Sequence, residues 1–131
     1  MTIKTLECPC GSGRNYSRCC EPYIHRLKKS PTAESLMRSR YSAYTLNDEA
    51  YLLSTWHKMT RPDALHLDES TSTKWLGLKV IATQAGGVQD NEGIVEFVAR
   101  YKVNGKAERL HETSHFVREN EQWFYVTGDL K

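Results

Sequence analysis

The chain has 131 residues, of which 39% are hydrophobic and 26% charged, enough to bury one core domain with a small appendage and too apolar for a disordered chain. No run approaches the roughly 18 consecutive apolar residues of a membrane span, and the opening Met-Thr-Ile-Lys-Thr-Leu-Glu has no apolar leader, so a cytoplasmic location without membrane contact is expected. The net charge of +2 is too small to imply nucleic acid by itself, but it is unevenly spread. Residues through Lys29 hold six basic and two acidic groups, net +4, and the remaining 102 hold twelve and fourteen, net −2.

All four cysteines fall in one run, Cys8-Pro9-Cys10-Gly-Ser-Gly-Arg-Asn-Tyr-Ser-Arg-Cys19-Cys20. In a reducing compartment such clustering reads as metal binding, and four soft thiolates suit a tetrahedral, structural Zn2+ with no open position for substrate. Disulfides fit poorly, because adjacent Cys19 and Cys20 make a strained bridge at best. His25 offers an alternative fourth ligand, although a lone histidine in a basic segment usually faces solvent. Gly11-Ser12-Gly13 lets the backbone turn sharply and aim amides at sulfur, and Arg14 and Arg18 are expected to offset the thiolate charge. Four thiolates and one divalent ion bring −2, so the basic bias of this part balances a metal site as well as it would attract an acidic partner.

The pattern Cys8-x-Cys10-x8-Cys19-Cys20, with its Gly-Ser-Gly turn, resembles the SEC-C motif, the zinc module at the carboxyl end of SecA. The resemblance implies that Cys8, Cys10, Cys19 and Cys20 ligate zinc and that the module docks a protein partner.

Beyond Lys29, Ser30-Pro31-Thr32 is a helix start, with Ser30 or Thr32 as the cap, and a helix is expected to about residue 46. Asn47-Asp48 breaks it and caps a second helix over 49–56, with Leu52 and Trp56 on one face. Residues 57–63 read as a loop, and a short strand and short helix are expected between 65 and 75. Residues 75–82 are β-rich and end before Gly86-Gly87. Alternation over 93–103 places Val95, Phe97, Ala99, Tyr101 and Val103 on one face. Asn104-Gly105 is a hairpin turn into a strand over 109–118, and a tight turn near Asn120 leads into 123–127. Pairing Phe116 with Trp123 would set Ser114 opposite Tyr125 and make one face aromatic.

Helices followed by a curved antiparallel sheet make an α+β sandwich, with a division between residues 1–29 and 30–131. The order resembles the cone-shaped fold named after nuclear transport factor 2. The strings Leu36-Met-Arg-Ser-Arg-Tyr-Ser-Ala-Tyr44, Ser54-Thr-Trp-His57, Val95-Glu-Phe-Val-Ala-Arg-Tyr101 and His111-Glu-Thr-Ser-His-Phe116 are similar to the YchJ-like bacterial family. Some members of that family carry a second SEC-C module near the carboxyl end; these 131 residues contain one.

Leu36, Arg40 and Tyr44 form one helical stripe, and Glu112 shares a strand face with Leu110 and Phe116. Charges on apolar faces need partners, so Arg40 and Glu112 are expected to meet inside the cone, beside Tyr44 or His57. The pair is either a structural ion pair or the polar floor of a small-molecule pocket, with His57 as a candidate acid or base. No nucleophile–base pair or phosphate loop occurs, which favours a zinc adaptor docking through Arg14, Tyr16 and Arg18 over an enzyme or ligand carrier. An RNA-associated variant would add Arg26, Lys28 and Lys29, but the charge balance disfavours it.

Overall fold

In the computed structural model, which describes residues 7–65, 67 and 73–131, a one-turn helix α1 (Glu21–Ile24) precedes α2 (Ala33–Thr45) and α3 (Glu49–Ser54). Four strands follow: β1 (Thr73–Ala85), β2 (Glu92–Val103), β3 (Lys106–Glu119) and β4 (Gln122–Leu130). They form one curved antiparallel sheet in the order β1-β2-β3-β4, so the chain is a helix-then-sheet α+β protein, as its pattern implies. The strand and helix expected between 65 and 75 fall largely on residues 66 and 68–72, outside the described residues. No helix among the described residues is long and apolar enough to cross a membrane.

Thr32 is the cap of α2: its Oγ1 accepts from the Ser35 amide at 3.0 Å, and Ser35 Oγ accepts from the Thr32 amide at 3.1 Å. The two orphan donors of the first turn are thereby satisfied. Asn47, at φ 56°, turns the chain out of α2, and Asp48 Oδ1 accepts from the Tyr51 amide at 3.0 Å to start α3. α3 ends at Ser54, two residues short of the expected stop. β4 is an edge strand with unpaired backbone groups, and the chain leaving α3 takes them. Tyr125 N donates to Thr55 O at 2.8 Å and His57 N to Tyr125 O at 2.7 Å, so Trp56 forms a parallel bridge with β4 instead of a last helical turn.

β1 is longer than the β-rich stretch suggested, and it carries two irregularities, between Trp75 and Gly77 and between Val80 and Ala82. Each bulge adds an unpaired residue and bends the strand, which curves the sheet. The extra residues are Leu76 and Ile81, both exposed, at 42% and 46%. β2 buries Val95, Phe97 and Ala99 as its alternation requires, against Leu36, Met37 and Tyr41 of α2, Leu52 of α3, and Phe116 and Trp123.

Asn104 and Gly105, at φ 52° and 81°, make the expected two-residue turn, with Val103 paired to Lys106. The register of β3 on β4 differs from expectation. The turn is centred on Asn120-Glu121, one residue later, and a bulge follows His115, so Phe116 pairs with Tyr125 and Ser114 with Gly128. Between the turn and the bulge the shift is two residues, which preserves parity, and the aromatic face survives it: Phe116 and Tyr125 rings meet at 5.8 Å, and Trp123 Nε1 donates to Pro31 O at 3.1 Å.

Glu121 sits at φ 65°, a left-handed conformation that costs a residue with a Cβ about 1–2 kcal/mol. Glu121→Gly converts Asn-Glu to the favoured Asn-Gly turn and should stabilise the protein by about 0.5–1 kcal/mol, read as a raised urea midpoint at unchanged slope.

Candidate metal centre and cone cavity

The cysteine segment folds as a small knuckle. Cys8 N donates to Arg14 O at 2.8 Å, and Gly11 N to Cys8 O at 3.2 Å, with Gly11 at φ 80°. A 3-10 turn at Tyr16–Arg18 then brings Cys19 and Cys20 back, and Cys20 heads α1. All four sulfurs lie within 4.8 Å of one another. Cys10 and Cys19 sulfurs are 3.6 Å apart, and Cys19 and Cys20 sulfurs 3.9 Å, with no disulfide. A tetrahedral ion with metal–sulfur bonds of about 2.3 Å requires sulfur–sulfur edges of about 3.8 Å, so the donor set fits one metal ion.

Electrostatics lead the same way. Thiol hydrogen bonds from Cys20 and Cys8 hold Cys10 well below the usual thiol range, and the same contacts push Cys20 up. Burial raises Cys19. Four thiolates this close repel one another unless a cation sits among them. Ser12 Oγ lies 3.2 Å from Cys19 Sγ, and Ser42 Oγ lies 3.5 Å from Cys8 Sγ.

The cation that reaches the sulfurs is Arg38, not the expected Arg14 and Arg18. Arg38 Nη1 donates to Cys10 O at 2.8 Å and lies 4.0 Å from Cys10 Sγ, while its Nε pairs with Glu34 at 3.0 Å. Arg14 and Arg18 are exposed, Tyr16 is half-buried, and His25 is exposed and outside the sulfur cluster. Arg38 lies eighteen positions beyond the last cysteine, and only folding brings it to the site; its one sequence signal is Glu34 four residues earlier.

The knuckle is built into the domain. Cys8, Cys10, Cys20 and Ile24 belong to the same buried cluster as Leu36, Met37 and Tyr41. A Cβ on Gly11 would come within 2.9 Å of Leu78 O in β1. The expected division at 29/30 therefore runs through one continuous apolar cluster.

On the other side of α2, a cavity of about 250 Å³ opens in the cone, and Arg40, Tyr44 and Glu112 all line it. Arg40 and Glu112 do not form the expected ion pair. Arg40 Nη1 donates to Leu52 O and Thr55 Oγ1, both at 2.7 Å, at the carboxyl end of α3. Its guanidinium lies 5.1 Å from the Trp56 ring centre and 4.6 Å from that of Tyr125. The negative end of α3 and two aromatic faces thus take the charge. Glu112 Oε2 instead accepts from Ser114 Oγ at 2.6 Å.

His57 is outside the cavity. Its Nδ1 accepts from the Met59 amide at 3.1 Å, so Nε2 carries the proton and donates to Glu119 Oε1 at 3.1 Å. The ring packs against Phe124. His111 and His115 pair separately, with Glu96 at 2.6 Å and Asp129 at 3.4 Å.

Two measurements test this geometry. Arg38→Met should release metal to a chelator at roughly ten- to hundredfold lower competitor concentration, while Arg14→Ala with Arg18→Ala leaves retention unchanged. Burial raises Tyr41 and Tyr125 to about 12. Unfolded tyrosine titrates near 10, so the native state keeps protons that the unfolded chain gives up. Their contribution to stability is therefore complete below about pH 10 and is lost as pH rises through 12, which denaturant titrations across that range will show.

The YchJ middle domain, described as nuclear-transport-factor-2-like, matches residues 32–128, and the SEC-C motif matches residues 7–22. A UPF0225 protein of Chromobacterium violaceum is 58% identical over 123 residues, covering 92% of this chain and 90% of the relative. Another from Ralstonia nicotianae is 52% identical over 137 residues, covering 96% and 92%. The solution structure of a SEC-C motif containing protein from Rhodopseudomonas palustris superposes with a TM-score of 0.83 at 33% identity, covering 95% of this chain and 98% of that one. A crystal structure of a SEC-C motif containing protein from Psychrobacter arcticus gives 0.76 at 29% identity, covering 98% and 84%. With the cysteine knuckle and the cone both matched, the chain belongs to the YchJ-like family, a SEC-C motif joined to a nuclear-transport-factor-2-like domain.

Proposed function

We propose that the chain is a non-catalytic docking protein of the bacterial cytoplasm, stapled by one structural Zn2+ on Cys8, Cys10, Cys19 and Cys20, that offers a basic face to an acidic protein partner. The observation that carries this reading is the surface around the knuckle. Arg14, Arg18, Arg26, Lys28 and Lys29 are all exposed, and none joins an ion pair among the described residues. Leu27 stands among them 77% exposed. A groove of about 440 Å³, bounded by Tyr23, Arg26, Lys28, Ser54 and Trp123, runs beside this segment. Unpaired cations around an apolar anchor and a groove suit an acidic protein segment, because charge steers the encounter and the apolar contact holds it.

Zinc is the metal that four thiolates at tetrahedral spacing select, with iron as the rival. Four sulfurs fill the shell, which supports a structural role and leaves no position for a substrate. RNA recognition would call for exposed aromatic faces on which bases stack; Tyr16 and Tyr23 are both half-buried. Catalysis is not favoured either, since His57 is locked to Glu119 away from the cavity.

Purified protein should carry one equivalent of zinc and show no visible absorbance; iron and colour would overturn the metal assignment. In nuclease-treated extracts, the wild type should retain a stoichiometric protein of net negative charge. The variant Arg18→Glu/Arg26→Glu/Lys28→Glu, with unchanged zinc, should lose it. Capture that ignores the charge reversal, or that disappears with nuclease, would sink the docking proposal.

A further inference from the structure

The cone cavity contains a charge that the described residues do not fully answer. Arg40 is 5% exposed, and burial pushes its guanidinium pKa down. Such a charge ordinarily sits against a carboxylate, because desolvation costs several kcal/mol. Here no carboxylate lies within ion-pair reach of it among the described residues. Nη1 is held by α3, whose end supplies only about half a negative charge. Nε and Nη2 have no acceptor among the described residues, and Arg40 borders the cavity.

Glu112 lines the same cavity. Ser114 occupies its Oε2, and Oε1 has no donor among the described residues. Gly128 makes this seat possible: any side chain there would collide with the Glu112 carboxylate. Tyr44, Trp75, Phe97 and Leu110 add largely aromatic and apolar walls. The Tyr44 hydroxyl also has no hydrogen-bond partner among the described residues, and burial raises its pKa, so it remains a neutral donor. The cavity is thus lined by aromatic rings, by a guanidinium with N–H groups that have no acceptor among the described residues, and by a carboxylate oxygen with no donor among them.

We infer that the cone cavity binds a small aromatic carboxylic acid that carries a hydroxyl or amino group at the end remote from its carboxylate. The carboxylate takes the free N–H groups of Arg40, the ring lies among the aromatic walls, and the distal donor reaches Glu112. An inorganic phosphate or sulfate fits less well, because a compact dianion needs several converging donors and gains nothing from aromatic and apolar walls. A cation such as choline would meet Glu112 but also the buried positive charge of Arg40. The assignment is independent of the docking face, which lies around the cysteine knuckle.

The experiment uses the full-length, metal-loaded chain, with 4-hydroxybenzoate, benzoate, 4-hydroxybenzamide and choline as probes. Binding is followed by NMR of the indole N–H groups of Trp56 and Trp75, both at the cavity wall. 4-Hydroxybenzoate should shift both signals saturably at millimolar concentration or below. The neutral amide should bind at least about tenfold more weakly, since it cannot answer the guanidinium charge. Benzoate should also be weaker, and Glu112→Leu should erase the difference between the hydroxylated and plain acids. Arg40→Met should abolish binding. If that variant does not fold, the acid-against-amide comparison on the unaltered chain decides. Equal binding of acid and amide, preference for choline, or no saturable shift with either acid overturns the proposal.

Discussion

Everything in this fold rests on α2 being gripped from two sides. A helix advances about 100° per residue, so Arg38 and Ser42 share one stripe while Arg40 and Tyr44 share another on nearly the opposite side. The first stripe meets the sulfurs through the contacts of Arg38 with Cys10 and of Ser42 with Cys8. The second lines the cone cavity. Surface helices usually keep one polar face, yet eight of the thirteen residues of α2 are buried, Ser39, Arg40 and Ser42 among them. The polar residues are tolerated because each has a partner: Ser39 Oγ lies 2.7 Å from the Tyr51 hydroxyl, Ser42 faces a sulfur, and Arg40 caps α3.

The two arginines show different solutions to the same cost. Arg38 is paired with Glu34 and lies beside the thiolate charge, so its hydrogen bonds outweigh the penalty of burial and its pKa rises. Among the described residues Arg40 has only carbonyl and hydroxyl oxygens and two ring faces for partners, and burial lowers its pKa. A cation–π contact contributes about 0.5–2 kcal/mol, against several kcal/mol for burying a charge, so two of them soften the penalty without cancelling it. The Trp56 contact exists only because the chain leaves α3 early to pair with β4. An edge-strand hydrogen bond therefore positions one wall of the cavity.

Features governed by neighbours in the chain were legible in the sequence. The cysteine spacing, the Thr32 and Asp48 caps, the Asn104-Gly105 turn and the alternation of β2 each depend on a few adjacent residues, and each is where local rules put it. The misreadings share a cause in long-range competition. Trp56 completes a plausible helix until an open strand edge offers better hydrogen bonds. The β3–β4 register turns on which of Glu119, Asn120 and Glu121 adopt left-handed backbone, and Glu121 gives no compositional signal for it. Arg40 is buried and lines the cavity, but periodicity names a face and not a partner, and its guanidinium bonds to the end of α3 and not to Glu112. Arg38 was invisible as part of the metal site because helix periodicity carries no information about what packs across the helix.

The metal centre and the cavity are both polar sites in an apolar cluster, and they differ in whether their charge is met. At the knuckle, four sulfurs lie close enough together to share one metal ion, and Arg38 and two serines lie against them. A closed shell of that kind holds a structure together and has nothing left to offer a second molecule. In the cone the balance among the described residues is incomplete: a guanidinium has N–H groups without an acceptor, a carboxylate has an oxygen without a donor, and both line one space without pairing. Evenly packed cores do not leave such a space when a rotamer change or a larger side chain would fill it. Gly128, which makes room for the Glu112 carboxylate, and Ala99, a small residue on the cavity wall, both keep it open. The knuckle thus presents a donor set that one metal ion completes, and the cavity behind α2 presents donors and an acceptor that no described residue completes.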